Sequence, residues 1–129
     1  ILKGVHNDTA SSGYTFNMAL YTSSASLGAA TTAYTTSNEV SGTHYSAKGN
    51  TLTSETPVAS STTAVCDFAD TTWSSATISA RGAMIFNESA SGDPAVAILD
   101  FGADKTSKAG NFVVIFPTAD ASNAIIRIA

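Results

Sequence analysis

Apolar and polar positions alternate most regularly over residues 14–21, YTFNMALY. Tyr14, Phe16, Met18 and Leu20 fall on one side of a period of two, with Thr15, Asn17 and Ala19 on the other. Successive side chains of an extended chain point to opposite faces, so this pattern predicts a half-buried strand. A helix would need apolar spacings of three and four, which the segment lacks. A slip of one residue would turn all four large side chains outward, so the pattern also sets the register.

Further strands are predicted at 45–50, 51–58, 64–68, 78–87, 95–102, 111–116 and 124–127. The later ones are apolar on both faces, as in AMIF, AVAIL, FVVIF and AIIRI. Two-sided apolar strands belong between layers or beneath a neighbouring subunit. Ser91-Gly92-Asp93-Pro94 reads as a hairpin loop and Lys108-Ala109-Gly110-Asn111 as a second turn. Residues 22–37 are Ser, Thr, Ala and Gly with little else, which predicts a long surface loop. Any helix is confined to the first residues, where Ile1 to Gly4 would be its tail. The expected architecture is all-β: a sandwich or jelly roll of about eight short, mostly antiparallel strands. A chain of 129 residues makes this a single domain, 1–129.

Composition sharpens the picture by exclusion. Charged residues are only 12% of the chain and the net charge is −4, which leaves no basic footprint for a nucleic-acid backbone. Ser and Thr supply 36 of 129 residues, so hydroxyls carry the solubility that charges do not. The single cysteine, Cys66, excludes an intrachain disulfide. It alternates with Ala64 and Phe68 on an inward strand face, where a free thiol acts as a small, quiet hydrophobe. No apolar run has the length of a membrane-spanning helix, and no signal peptide is evident. The chain opens on Ile1 rather than a Met, so a missing or processed N-terminal piece is expected.

Chemistry-bearing residues do not gather into constellations. His6 and His44 lack the spacing of a zinc motif. Asp100-Phe101-Gly102 repeats the letters of a kinase metal motif, but the phosphate loop, strand lysine and catalytic loop are missing. The expected role of that triplet is a strand end, with Phe101 inward and Asp100 and Asp104 solvated. Ten carboxylates are spread without the tight spacing and bend glycine of a calcium loop. Asn7-Asp8-Thr9 and Asn87-Glu88-Ser89 match the glycosylation triplet, read as chance in a Ser/Thr-rich chain. No catalytic, cofactor or metal residue is therefore expected.

Several blocks in fixed order resemble a group of small tailed-phage proteins. They are FNMALYTS at 16–23, NEVSGTHYSAKGNTL at 38–52, CDFADTTWSSATISARGAMIF at 66–86, LDFG at 99–102 and AGNFVVIFP at 109–117. The group comprises tail-fibre-like and head-decoration proteins, and the likeness extends over nearly the whole chain from Tyr14 onward. It implies a virion component, most readily a multicopy capsid decoration or cement protein on the particle surface. The implied partners are copies of itself, as a homotrimer, and a major capsid protein, with no nucleic acid and no membrane. The candidate interface is Glu39, Val40, Ser41, Gly42 and Tyr45, for which two readings stand: a loop packed on the sandwich, or a subunit contact. Alternatives are a tail-fibre module holding a host glycan on Trp73 or Tyr34, and a surface-filament subunit. A small hydrolase fails for want of a triad, metal cluster or phosphate loop.

Overall fold

The computed structural model describes residues 15–28, 30–53, 58–60, 63–66, 68–115 and 126–128. Among these residues the chain is all-β and contains no helix. We number the strands β1 (Phe16–Tyr21), β2 (Asn50–Leu52), β3 (Val58–Ser60), β4 (Thr63–Cys66), β5 (Thr71–Asn87), β6 (Ala95–Val114) and β7 (Ile126–Ile128). They form an open four-stranded sheet in the order β2-β1-β5-β6 and a three-stranded sheet in the order β3-β4-β7, antiparallel throughout.

β1 lies where the alternation predicts it, and Phe16, Met18 and Leu20 share one buried cluster. The half-buried expectation is corrected, because all six residues of β1 are buried. Asn17, Ala19 and Tyr21 face a second layer. There Ala19, Tyr21, Met84 and Phe86 are covered by Ala25, Leu27 and Tyr34 from the Ser/Thr/Ala-rich segment. The 22–37 loop is thus a lid of the sheet rather than a free surface loop, since its larger apolar side chains, Leu27 and Tyr34, pack against the sheet.

The larger corrections concern strand lengths. Of the strand expected at 45–50 only Asn50 is extended, as the first residue of β2. The residues before it turn at Lys48 and Gly49, both in the left-handed region with φ of 72° and 64°. A Cβ on Gly49 would lie 1.8 Å from the Met18 carbonyl oxygen, so the chain can pass β1 this closely only as glycine. The expected strand at 51–58 divides between β2 and β3, which belong to different sheets. Residues 95–102 and 111–116 are not two strands around a turn at 108–111. A single strand of 20 residues, β6, runs from the first into the second as far as Val114 and pairs with the 17-residue β5. What reads as a turn is a bulge with Ala109 at φ 50°, one of several register shifts along the pair. The Ser91–Pro94 turn stands as expected and joins β5 to β6. The readings on Ile1 to Gly4, His6, the Asn7 triplet, Tyr14 and the Cys66 side chain lie outside the described residues.

Candidate functional site

The site grows from an unmet need of β1. Its first half pairs with β2 through Phe16, Asn17 and Met18, but β2 reaches no further. The remaining edge, at Leu20 and Tyr21, is taken by the Glu39–Val40 segment. The Val40 amide donates to the Leu20 carbonyl at 2.9 Å, Tyr21 bridges to Glu39, and the Thr22 amide donates to the Asn38 carbonyl at 3.0 Å. Residues 38–50 therefore form a strap along the sheet.

The Glu39 carboxylate anchors this strap. One oxygen accepts the Tyr34 hydroxyl at 2.5 Å, and the other accepts the Tyr45 hydroxyl and the Lys48 amide, each at 2.8 Å. Three donors on one carboxylate make a charge-assisted junction. The Tyr45 oxygen in turn accepts the Leu20 amide at 2.9 Å, which ties the strap to β1. Tyr21 donates to the Thr35 carbonyl at 2.7 Å, which ties the lid to the same strand. Tyr34 stacks on Phe86 with ring centres 4.8 Å apart, and Tyr45 on Trp73 at 6.2 Å. The Lys48 ammonium lies 2.9 Å from Asp93 and 3.5 Å from Glu88, and 5.7 Å above the Tyr34 ring.

Electrostatics make the junction a clamp. Burial pushes the Tyr21 hydroxyl up to about 12, with the nearby Glu39 charge adding to it. Burial and then Glu39 raise Tyr34 and Tyr45 further still, so all three stay protonated donors. The bond to Asp93 raises Lys48 and keeps it cationic. The arrangement holds chain segments together. It aims neither a nucleophile nor a base at open space.

Of the five sequence-predicted residues, Glu39, Val40 and Tyr45 are drawn into this packing, whereas Ser41 and Gly42 are exposed. Gly42 sits so close to β5 that a Cβ would lie 2.2 Å from the Thr77 carbonyl oxygen. His44 is exposed, and its Nδ1 lies 2.9 Å from the Ser75 carbonyl. Trp73 is only 3% exposed, among Tyr45 and Phe112, so its ring offers no open platform. Asn87 is fully buried, and its oxygen accepts the Ser89 and Ala90 amides, which holds the turn and withdraws the triplet from any surface modification. Asp100 accepts the Gly102 amide at 2.8 Å and Arg81 Nε at 3.2 Å, which lowers its carboxyl below the usual range. Among the described residues no group of three or more His, Cys, Asp or Glu side chains is placed to hold a metal.

Sequence reasoning missed Lys48, Glu88 and Asp93 as one cluster. The local signs were the turn that Glu88 and Asp93 bracket and the Lys48-Gly49 dipeptide, a turn signal inside an expected strand. Compared with protein-family models, curated proteins and solved structures, the chain matches none.

Proposed function

We propose that this chain is a non-enzymatic structural component of a tailed-phage particle, used in many copies and acting by packing. Decoration of the head, against copies of itself and a major capsid protein, is preferred to a place on the tail. One observation carries the reading. The two blocks at the centre of the phage resemblance, FNMALYTS and EVSG with its Tyr45, are hydrogen-bonded partners in space. The first holds β1, and the second is the strap clamped along it by the Val40–Leu20, Tyr45–Leu20 and Glu39 bonds. Residues that resemble a family in order and spacing therefore form one structural seam. That supports a shared fold over a chance likeness of letters.

The same reading takes the fold to be a β-sandwich, with the three-stranded sheet over the face bearing Phe16, Met18, Leu20, Trp73 and Ile78. In its support, these side chains are buried to 3% exposure or less. The lid of residues 22–37 serves the opposite face of the same sheet, while Val40 and Tyr45 of the strap pack against this one from its edge.

Purified particles test the role. Quantitative mass spectrometry and a cryo-electron-microscopy map are expected to find the chain in many symmetric copies on the head. A handful of copies at the tail tip would favour the receptor-binding alternative. Absence from the particle would remove the virion reading altogether.

A further inference from the structure

The two outer edges of the long β5–β6 ribbon are treated differently. Beyond the end of β1, the edge of β5 is occupied by the strap. Thr43 bridges Thr77, His44 meets the Ser75 carbonyl, and the Asn50 side chain donates to the Thr72 carbonyl at 3.0 Å. β6 ends the sheet order, and the Ala95 amide, bonded to the Thr32 carbonyl, is the last point at which a described loop reaches its outer backbone edge. Its centre, Lys105 to Ser107, pairs regularly with Ala80 to Ile78 between two register shifts, and such an open stretch of edge is a template for another strand.

The residues of that edge say which strand suits it. Its two ends are apolar. Val96, Ala97, Ile98 and Leu99 are half-buried at one end, and Val113 and Ile115 are 46% and 74% exposed at the other. The middle is polar, exposed and charge-ordered, with Asp100 and Asp104 before Lys105 and Lys108. A hollow of about 430 Å³ follows the strand past Phe101, Lys105, Ser107, Phe112 and Ile115. An antiparallel copy of the same strand matches this pattern end for end. Its apolar start meets the apolar finish, and its acidic half meets the basic half.

We propose that two copies of this chain pair edge to edge through β6, antiparallel about a twofold axis near Thr106. Asp104 of each copy then lies opposite Lys108 of the other, and the contact is isologous. A threefold ring would need a second, different open edge. The strap closes β5, and the other outer strands, β2, β3 and β7, are three residues long each, so β6 is the one long edge among the described strands and a twofold pair uses it. This inference names the self-contact within the proposed multicopy role and rests on that reading only for its purpose. Pairing is measured on the free protein and copy number on the particle, so the two can fail separately.

Sedimentation equilibrium of the full chain, over a concentration series, is expected to give a monomer–dimer equilibrium. Asp104→Lys and Lys108→Asp should each weaken the dimer roughly tenfold, as two opposite-charge cross-strand pairs become two like-charge pairs. The double variant restores the opposite charges across the axis and should regain most of the loss. Both side chains are exposed, so circular dichroism should find every variant folded. Thr106→Cys places a thiol at the axis and should form a covalent dimer on mild oxidation. A chain that stays monomeric at its highest soluble concentration overturns the proposal. So does a trimer, or a dimer indifferent to the charge reversals and their combination.

Discussion

The two halves of β5 are one strand with two environments. From Thr71 to Ala80 burial alternates: Thr71, Trp73, Ala76, Ile78 and Ala80 turn inward, while Thr72, Ser74, Ser75, Thr77 and Ser79 are exposed. From Ala83 to Asn87 every residue is buried, whichever way it points. The neighbours account for the change. β1 pairs with Gly82 to Asn87, and the lid of residues 25–34 lies over the second face there, whereas the distal half has the core on one side only. Sequence follows environment: Ser and Thr alternate where one face is wet, and AMIF is continuous where neither is. Two tyrosines of the clamp, Tyr21 and Tyr34, pack in the doubly covered half, while Tyr45 stacks on Trp73 in the distal one, so the clamp is weighted toward the half where the lid is fastened.

Alkali should separate the halves most strongly. Tyr21, Tyr34 and Tyr45 all fasten the lid or strap, and all have raised hydroxyl pKa values. The folded state holds these protons where the unfolded chain releases them near 10, so their stabilisation is complete below that pH. It is lost as pH rises through about 12, the value for Tyr21. A spectrophotometric titration should show tyrosinate appearing together with unfolding. Ordinary ionisation of Tyr21, Tyr34 and Tyr45 near pH 10 in a protein that stays folded would refute the clamp.

Phe86→Ala, in the doubly covered half, should cost about 3–5 kcal/mol in denaturant unfolding. Gly49→Ala should cost about 3 kcal/mol, because it combines a left-handed backbone with a Cβ driven into the Met18 carbonyl. Glu39→Ala should cost about 2 kcal/mol, since the Tyr34 and Tyr45 hydroxyls and the Lys48 amide lose their acceptor together. Ser79→Ala, on the wet face of the distal half, should change stability by no more than about 0.5 kcal/mol. Equal costs at Phe86 and Ser79 would erase the distinction between the halves.

The interface block shows how a site can be half legible. Glu39 to Gly42 with Tyr45 stood out in the sequence, and the two readings of it were a packed loop and a subunit contact. A carboxylate with three donors can be recognised only once Tyr34, Tyr45 and Lys48 are brought to it, and they come from 5 to 9 residues away along an irregular path. Trp73 carried a possible glycan role on residue type alone. Its burial between Tyr45 and Phe112 depends on pairing with a strand more than 30 residues onward.

The amino-acid pattern by itself determined that the described residues are all-β, that a strand lies within residues 14–21, that Phe16, Met18 and Leu20 share a face, and that the chain reverses at Ser91–Pro94. These are local properties: side-chain alternation in an extended chain and the preferences of Gly, Asp and Pro in turns. Tertiary structure alone decided that residues 22–37 cover the sheet, that 95–114 is one bulged strand and not two, and that Glu39 joins the strap to β1. Each of these depends on a partner distant in sequence. Ala109 adopts a positive φ because β5 holds both sides of the bulge in register, and an alanine gives no local sign of that.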